Sequence, residues 1–292
     1  MPPMHLRLED EGAPDFAPAV VEIINSVFAQ EKSPTEAATA IESLFTRYDG
    51  KPDAFIWWFW DLVHSFARQV PYDSTEQDQL AAAIKALQDL PPKTVIFRNE
   101  GADDSSVQLW TDLPNFGNTY YEKLGEVDSA ASGDETLKQR RLNLQAYGAR
   151  VTRLCRLPFE MYAIWALADA LEGKMTPIRG APDEINEDPV AVDEYEIKTA
   201  AAWMIHMGHI MCGRDEEVRG ATAGPLWKLD KKEGIRLRQR FKGTNGLDPK
   251  RWQLWKERFA VFCDTEGLES QVRKEAGDAY AAMEKAEQDQ KS

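Results

Sequence analysis

The stretch from Asp53 to Arg68, D-A-F-I-W-W-F-W-D-L-V-H-S-F-A-R, decides the fold class. Its apolar residues fall on nearly every face of a 3.6-residue helix, and a helix that is apolar all round must be buried on most of its surface. A half-buried strand would instead alternate apolar and polar residues, which this stretch does not do. A central helix needs other helices around it, and the flanking sequence supplies them. Upstream, Val20, Ile23, Ile24, Val27 and Phe28 keep the three-to-four spacing of an amphipathic helix. Ser33-Pro34-Thr35-Glu36 then offers an N-cap, a proline at the first helical position and a reciprocal glutamate, ahead of Ile41, Leu44, Phe45 and Tyr48. Downstream, Pro71 ends the central helix, and Ser74-Thr75-Glu76-Gln77 opens another that carries Leu80, Ala83, Ile84 and Leu87 up to Pro91-Pro92.

From Lys93 to Gly125 the helical period fails among Gly, Asp, Asn and Pro around short apolar clusters such as Val95-Ile96-Phe97 and Leu109-Trp110, which reads as a long, irregular, partly ordered connection. Helical pattern resumes over about 137–154 and 159–171, and again over about 192–212 after a Pro- and acid-rich link from Gly173 to Pro189. A basic irregular stretch through Gly246, a short helix with Trp252, Trp255, Phe259 and Phe262, and a polar helix from about Leu268 complete the chain. The fold class is all-α: one multi-helix bundle of about eight to ten helices over residues 15–292, preceded by a flexible tail over 1–14.

The 292 residues carry a net charge of −14, a sign that repels phosphate backbones and anionic lipids unless bases are segregated onto one patch. Neither nucleic acid nor membrane is therefore an expected partner. Three widely spaced cysteines, Cys155, Cys212 and Cys263, suit a reducing compartment. Met1 to Pro14 lacks the basic start and apolar run of a signal peptide, and the longest uncharged stretch, Thr199 to Gly213, is short of a membrane span. Cytoplasmic residence is the expectation. Nine Trp, twelve Phe and eight Tyr imply a core, or a pocket, rich in aromatic surface.

Several segments together resemble an uncharacterised protein family of filamentous fungi, known only as a domain of unknown function. They are Trp58 to Tyr72, Leu109 to Pro114 (L-W-T-D-L-P), Ala168 to Glu172, Ala201 to Ile205, Gly224 to Lys228 and Arg251 to Arg258. The resemblance spans most of the chain and implies a helical cytosolic protein of fungal origin. It brings no activity, cofactor or catalytic residue with it.

Four groups of residues are candidates for chemistry. His206-x-x-His209-x-x-Cys212 can edge one helical face, but a structural zinc site needs a fourth ligand, and neither His5 nor His64 is linked to it by a motif; no metal or cofactor is expected. Asp61 and His64 lie one turn apart among Trp57 and Trp60, where a buried acid and base can exchange a proton or, more simply, form an ion pair that Arg68 or another Arg completes. Thr136 to Phe159 holds six bases and no acid, and Arg150, Arg153 and Arg156 share the i, i+3 relation that presents guanidinium forks to a phosphate or carboxylate. The acidic run from Asp183 to Glu196 is an alternative, internal partner for that face. Finally, Leu226 to Arg258 interleaves eleven bases and four acids with tryptophans, the composition of a single-strand groove, although Trp252 and Trp255 on one face read better as core anchors.

No nucleophile elbow, zinc-protease helix, phosphate loop or dinucleotide fingerprint occurs. The reading that follows is a non-enzymatic module that binds a protein or a small anionic or apolar ligand, with Trp57, Trp60, Asp61, His64, Arg150, Arg153, Arg156, Trp203 and His206 as the binding residues. The alternative is an enzyme of fungal specialised metabolism with an aromatic-lined helical cavity. Against it, Asp103-Asp104 sits in a Gly/Ser-rich stretch with no third acid at helical spacing.

Overall fold

The computed structural model describes residues 4–98, 104–130, 134–172, 174–178, 181–188, 192–221 and 246–291, and over these the protein is predominantly α-helical. It divides into two compact units, Met1–Arg156 and Leu157–Ser292.

The first unit is built on α1 (Ala17–Phe28), α2 (Pro34–Arg47), α3 (Pro52–Gln69), α4 (Thr75–Gln88), α5 (Phe116–Ala130) and α6 (Glu135–Cys155). Side-chain caps start α2 and α6, whereas Ser74 stands at the N-cap of α4 without the side-chain cap hydrogen bond its sequence suggests. Ser33 and Glu36 form the reciprocal capping box of α2, with Ser33 N–H donating to Glu36 Oε2 at 2.8 Å, and Asp134 accepts from Thr136 N at 2.9 Å to cap α6. The all-round apolar helix is α3, which packs against α5 and α6 and buries Phe55, Ile56, Phe59, Trp60, Val63, His64 and Phe66. Its aromatics meet edge to face: Trp60 lies 4.7 Å from Phe59 and 5.0 Å from Phe116 between ring centroids, the arrangement that ring quadrupoles favour.

The stretch expected as an irregular connection holds more order than its glycines and prolines suggest. Strands β1 (Lys93–Phe97) and β2 (Ser105–Leu109) pair antiparallel with Val95 opposite Val107, and Gln108 Nε2 donates to Thr94 Oγ1 across the pair at 3.0 Å. A turn follows in which Trp110, Leu113 and Asn115 all adopt positive φ, 62°, 46° and 63°. Non-glycine residues hold that conformation only where surrounding contacts impose it. Here the contacts are visible: the indole N–H of Trp60 donates to Pro114 O at 2.8 Å, and that of Trp110 donates to the Glu42 carboxylate. The turn delivers the chain into α5, whose Phe116, Tyr120 and Leu124 are buried at a spacing of four.

Ahead of α1, residues 4–14 lie on this unit. Leu6 is 1% exposed, and its main chain is hydrogen-bonded to Asn25.

The second unit comprises α7 (Glu160–Leu171), α8 (Glu194–Met211), α9 (Pro249–Asp264) and α10 (Ser270–Asp289). Two small antiparallel pairs accompany them: β3 (Lys174–Ile178) with β4 (Ala181–Asp188), in the stretch expected as a link, and β5 (Glu216–Glu217) with β6 (Gly246–Leu247). The core is fixed by a buried polar cluster. Glu172, at the end of α7, accepts hydrogen bonds from Arg251 Nε, from Arg251 Nη2 at 3.2 Å and from the indole N–H of Trp255 at 2.8 Å; Arg251 Nη1 also donates to Gly246 O at 2.8 Å. Trp252 and Trp255 are thus core anchors of α9, as their spacing suggests, and Trp203 is fully buried on α8. Most of the basic stretch 226–258 lies outside the described residues, Trp227 and Phe241 included.

Two substitutions test the packing. A Cβ at Gly148 would stand 2.3 Å from the Tyr120 hydroxyl, so Gly148→Ala should cost about 1–3 kcal/mol by overpacking, against a helix-propensity gain of about 1 kcal/mol. Urea denaturation should show part of that loss restored in a Tyr120→Phe background. Arg251→Met leaves the Glu172 carboxylate buried without its guanidinium, and the same measurement should show a loss of roughly 3–5 kcal/mol.

Candidate functional site

One strip of α3 faces a cleft between α5 and the segment ahead of α1. Trp58, Asp61, Leu62, Ser65 and Arg68 recur every three or four residues along it, and together with Lys123 and Glu126 of α5 and with Arg7, Glu9, Asp10, Ala13 and Pro14 they line a cleft of about 340 Å³. All of these residues belong to the first unit. A volume of that size suits a small molecule.

The cleft contains a continuous chain of opposite charges. Lys123 Nζ lies 2.7 Å from Asp61 and 3.2 Å from Glu126; Arg68 lies 3.3 Å from Glu126 and 3.8 Å from Glu9; and Glu9 accepts both Nη groups of Arg140 on α6, one of them at 2.8 Å. Depth separates the signs. The side chains of Lys123 and Arg68 are 8% and 15% exposed, whereas those of Glu9 and Glu126 are 36% and 54% exposed. Lys123 and Arg68 therefore form the floor, and the more exposed Glu9 and Glu126, beside the exposed Arg7, the rim. The hydrogen bonds from Arg140 hold the Glu9 carboxyl below the usual carboxylate range. Burial, followed by repulsion from Arg140, lowers the affinity of the Arg68 guanidinium for its proton, an effect the nearby acids oppose. Above the floor, the Trp58 indole is 38% exposed.

The candidate residues from the sequence distribute as follows. Asp61 lines the cleft, and its ion-pair partner is Lys123. His64, one turn on, points into the core. It is fully buried, its ring lies 4.7 Å from that of Phe116 and 5.9 Å from that of Tyr147, and its Nε2 is 3.2 Å from Phe116 O. A carbonyl can only accept, so the neutral ring carries its proton on Nε2, leaving Nδ1 unprotonated and without a partner among the described residues. Burial pushes the imidazole down to about 3, and Lys123 and Arg68 add to the shift. Trp60 is consumed by packing, and Trp57 is half-buried.

Arg150 is a buried side chain of α6 whose Nε donates to Asp78 of α4 at 2.9 Å and whose Nη1 donates to Ala146 O, so its partner lies in its own unit. Arg153 is exposed, and Arg156 ends α6 in the left-handed conformation with φ 56°. Trp203 and His206 belong to α8 of the second unit. Among the described residues, no three or more His, Cys, Asp and Glu side chains are grouped to hold a metal ion, and no described helix is long and apolar enough to cross a membrane. Burial pushes the Cys155 thiol up to about 12, far from a reactive thiolate.

Sequence reasoning missed Glu9, Lys123 and Glu126. Lys123 and Glu126 stand on α5, whose signal was the four-residue spacing of Phe116, Tyr120 and Leu124; Glu9 lies in a segment with no periodicity to read.

Fold and cleft together define a predominantly α-helical protein with a small, internally paired, charge-layered cleft. The family model described as "Protein of unknown function (DUF3632)" matches residues 60–259, and the chain belongs to that family. Comparisons with the curated proteins and with the solved structures gave no match.

The buried His64 couples stability to pH. Its proton affinity is lower folded than unfolded, so between the ordinary value near 6.5 and about 3 the unfolded chain binds the extra proton and stability falls as pH falls. The limit is about 1.4 kcal/mol per pH unit. Urea midpoints measured across that window should drop more steeply for the natural chain than for His64→Gln.

Proposed function

We propose that this chain is a non-enzymatic binding module, and that the cleft of its first unit takes a small amphipathic carboxylate. The observation that carries this reading is the layering of charge by depth: two cations at the floor, and acids on the rim that are exposed enough to turn into water. An incoming carboxylate can replace Glu126 on Arg68, whose present contacts of 3.3 and 3.8 Å leave room for a closer, bidentate one. The apolar part of such a ligand finds Leu62, Phe66 and the open face of Trp58. A binding role is favoured over catalysis because the charged groups of the floor are committed to ion pairs and the α3 imidazole is sequestered in the core. Trp60, with its indole N–H spent on Pro114, serves packing, which weighs against an aromatic reaction cavity around it.

Phenylacetate titrated into the protein and followed by calorimetry tests this. Saturable binding is expected, weakened about tenfold or more by Arg68→Met, which is ~1.4 kcal/mol, and strengthened by Glu126→Gln, which removes the competing rim acid. Binding that Arg68→Met leaves unchanged, or none at all, would sink the reading.

A further inference from the structure

The segment ahead of α1 is held as a recognised peptide is held. Leu6 N donates to Asn25 Oδ1 at 2.8 Å, and Asn25 Nδ2 donates back to Leu6 O at 3.4 Å. One residue on, Arg7 N donates to Gln69 Oε1 at 3.0 Å, and Gln69 Nε2 donates back to Arg7 O at 3.0 Å. In extended chain, the N–H and C=O of one residue point to the same edge and those of the next to the opposite edge. Two carboxamides, one on α1 and one on α3, thus grip both edges of a two-residue stretch through main-chain atoms that every peptide possesses. Two side chains add selectivity: Leu6 is buried, and Glu9, three residues later, bridges Arg140 and Arg68. Arg7 and Leu8 stay exposed and contribute little to the choice.

We propose that this groove is a docking site for an extended segment of a partner protein carrying a leucine followed three residues later by an acid, and that residues 6–9 occupy it in cis until such a partner competes. The groove calls for an occupant on physical grounds. With the segment gone, two carboxamides lose four main-chain hydrogen bonds, and Arg140 faces Arg68 with no carboxylate between them, a repulsion already felt at Arg68. A peptide with the same leucine and acid restores every contact. The tether sets the threshold, since a segment joined to its site by a few residues acts at an effective concentration on the order of millimolar. The groove adjoins the carboxylate cleft and shares Glu9 and Arg68 with it, but its grip on the main chain comes from Asn25 and Gln69, which, like Arg140, do not line the cleft.

The test uses the full chain and a fluorescein-labelled peptide with the sequence of residues 4–12. Replacing the cis anchors, Leu6→Ala with Glu9→Ala, frees the groove without touching it, and fluorescence anisotropy should show this variant binding the peptide at least tenfold more tightly than the natural chain. Adding Arg140→Ala, or exchanging the residue equivalent to Leu6 or to Glu9 in the peptide for alanine, should return the affinity to the weaker level. A variant with the natural circular dichroism spectrum that binds no better than the natural chain overturns the proposal. Should the variant not fold, the natural chain decides: unlabelled peptide at about 1 mM should speed hydrogen exchange at the Leu6 and Arg7 amides, and unchanged exchange there rejects the groove. Sedimentation showing a dimer that free peptide dissociates would assign the groove to a second copy of this chain and overturn the partner reading.

Discussion

Burying an indole obliges the fold to find a partner for its N–H, and at Trp60 that obligation organises the first unit. The helix that carries it is apolar on most faces, so hydrophobic burial alone would accept many arrangements of the surrounding helices. The bond from Trp60 to the Pro114 carbonyl narrows them. It requires the chain after the small hairpin to turn through three non-glycine residues at positive φ, each held by its contacts, and that turn fixes where α5 begins. Once α5 is placed, Phe116 and Tyr120 close the aromatic cluster and Lys123 is brought to Asp61. A core interaction thereby positions a surface feature.

The same helix accounts for both faces of the unit. Its inner aromatics are packed edge to face, while the strip that lines the cleft presents Trp58, Asp61 and Arg68. The charges there are arranged in depth, lysine and arginine beneath and glutamates above, and the order follows from side-chain length and hydration. Long basic side chains lay their methylenes against apolar surface and reach their acids from below. Surface pairs of this kind contribute only about 0–1 kcal/mol each, so the arrangement matters for what it can exchange with solvent or ligand more than for stability. In the second unit, the Glu172, Arg251 and Trp255 cluster shows the opposite case, a buried ion pair with its hydrogen bonds filled, which ties β6 and α9 to the end of α7.

The amino-acid sequence by itself determined the helices whose periodicity and caps are local: α2 through its capping box, α3 through its unbroken apolar surface, α9 through its paired tryptophans. It could not decide α5, because Gly117, Asn118 and Gly125 weaken the helical propensity there and only burial against α3 and α6 compensates. Nor could spacing decide what a polar residue meets. Asp61 and His64 sit one turn apart, yet about 60° of rotation around α3 sends one to an ion pair in the cleft and the other into an aromatic cage. Arg150 looked like one tine of an exposed fork and is spent on Asp78. Which charges pair, and at what depth, depends on neighbours brought together across tens of residues of chain; only the tertiary structure decided that.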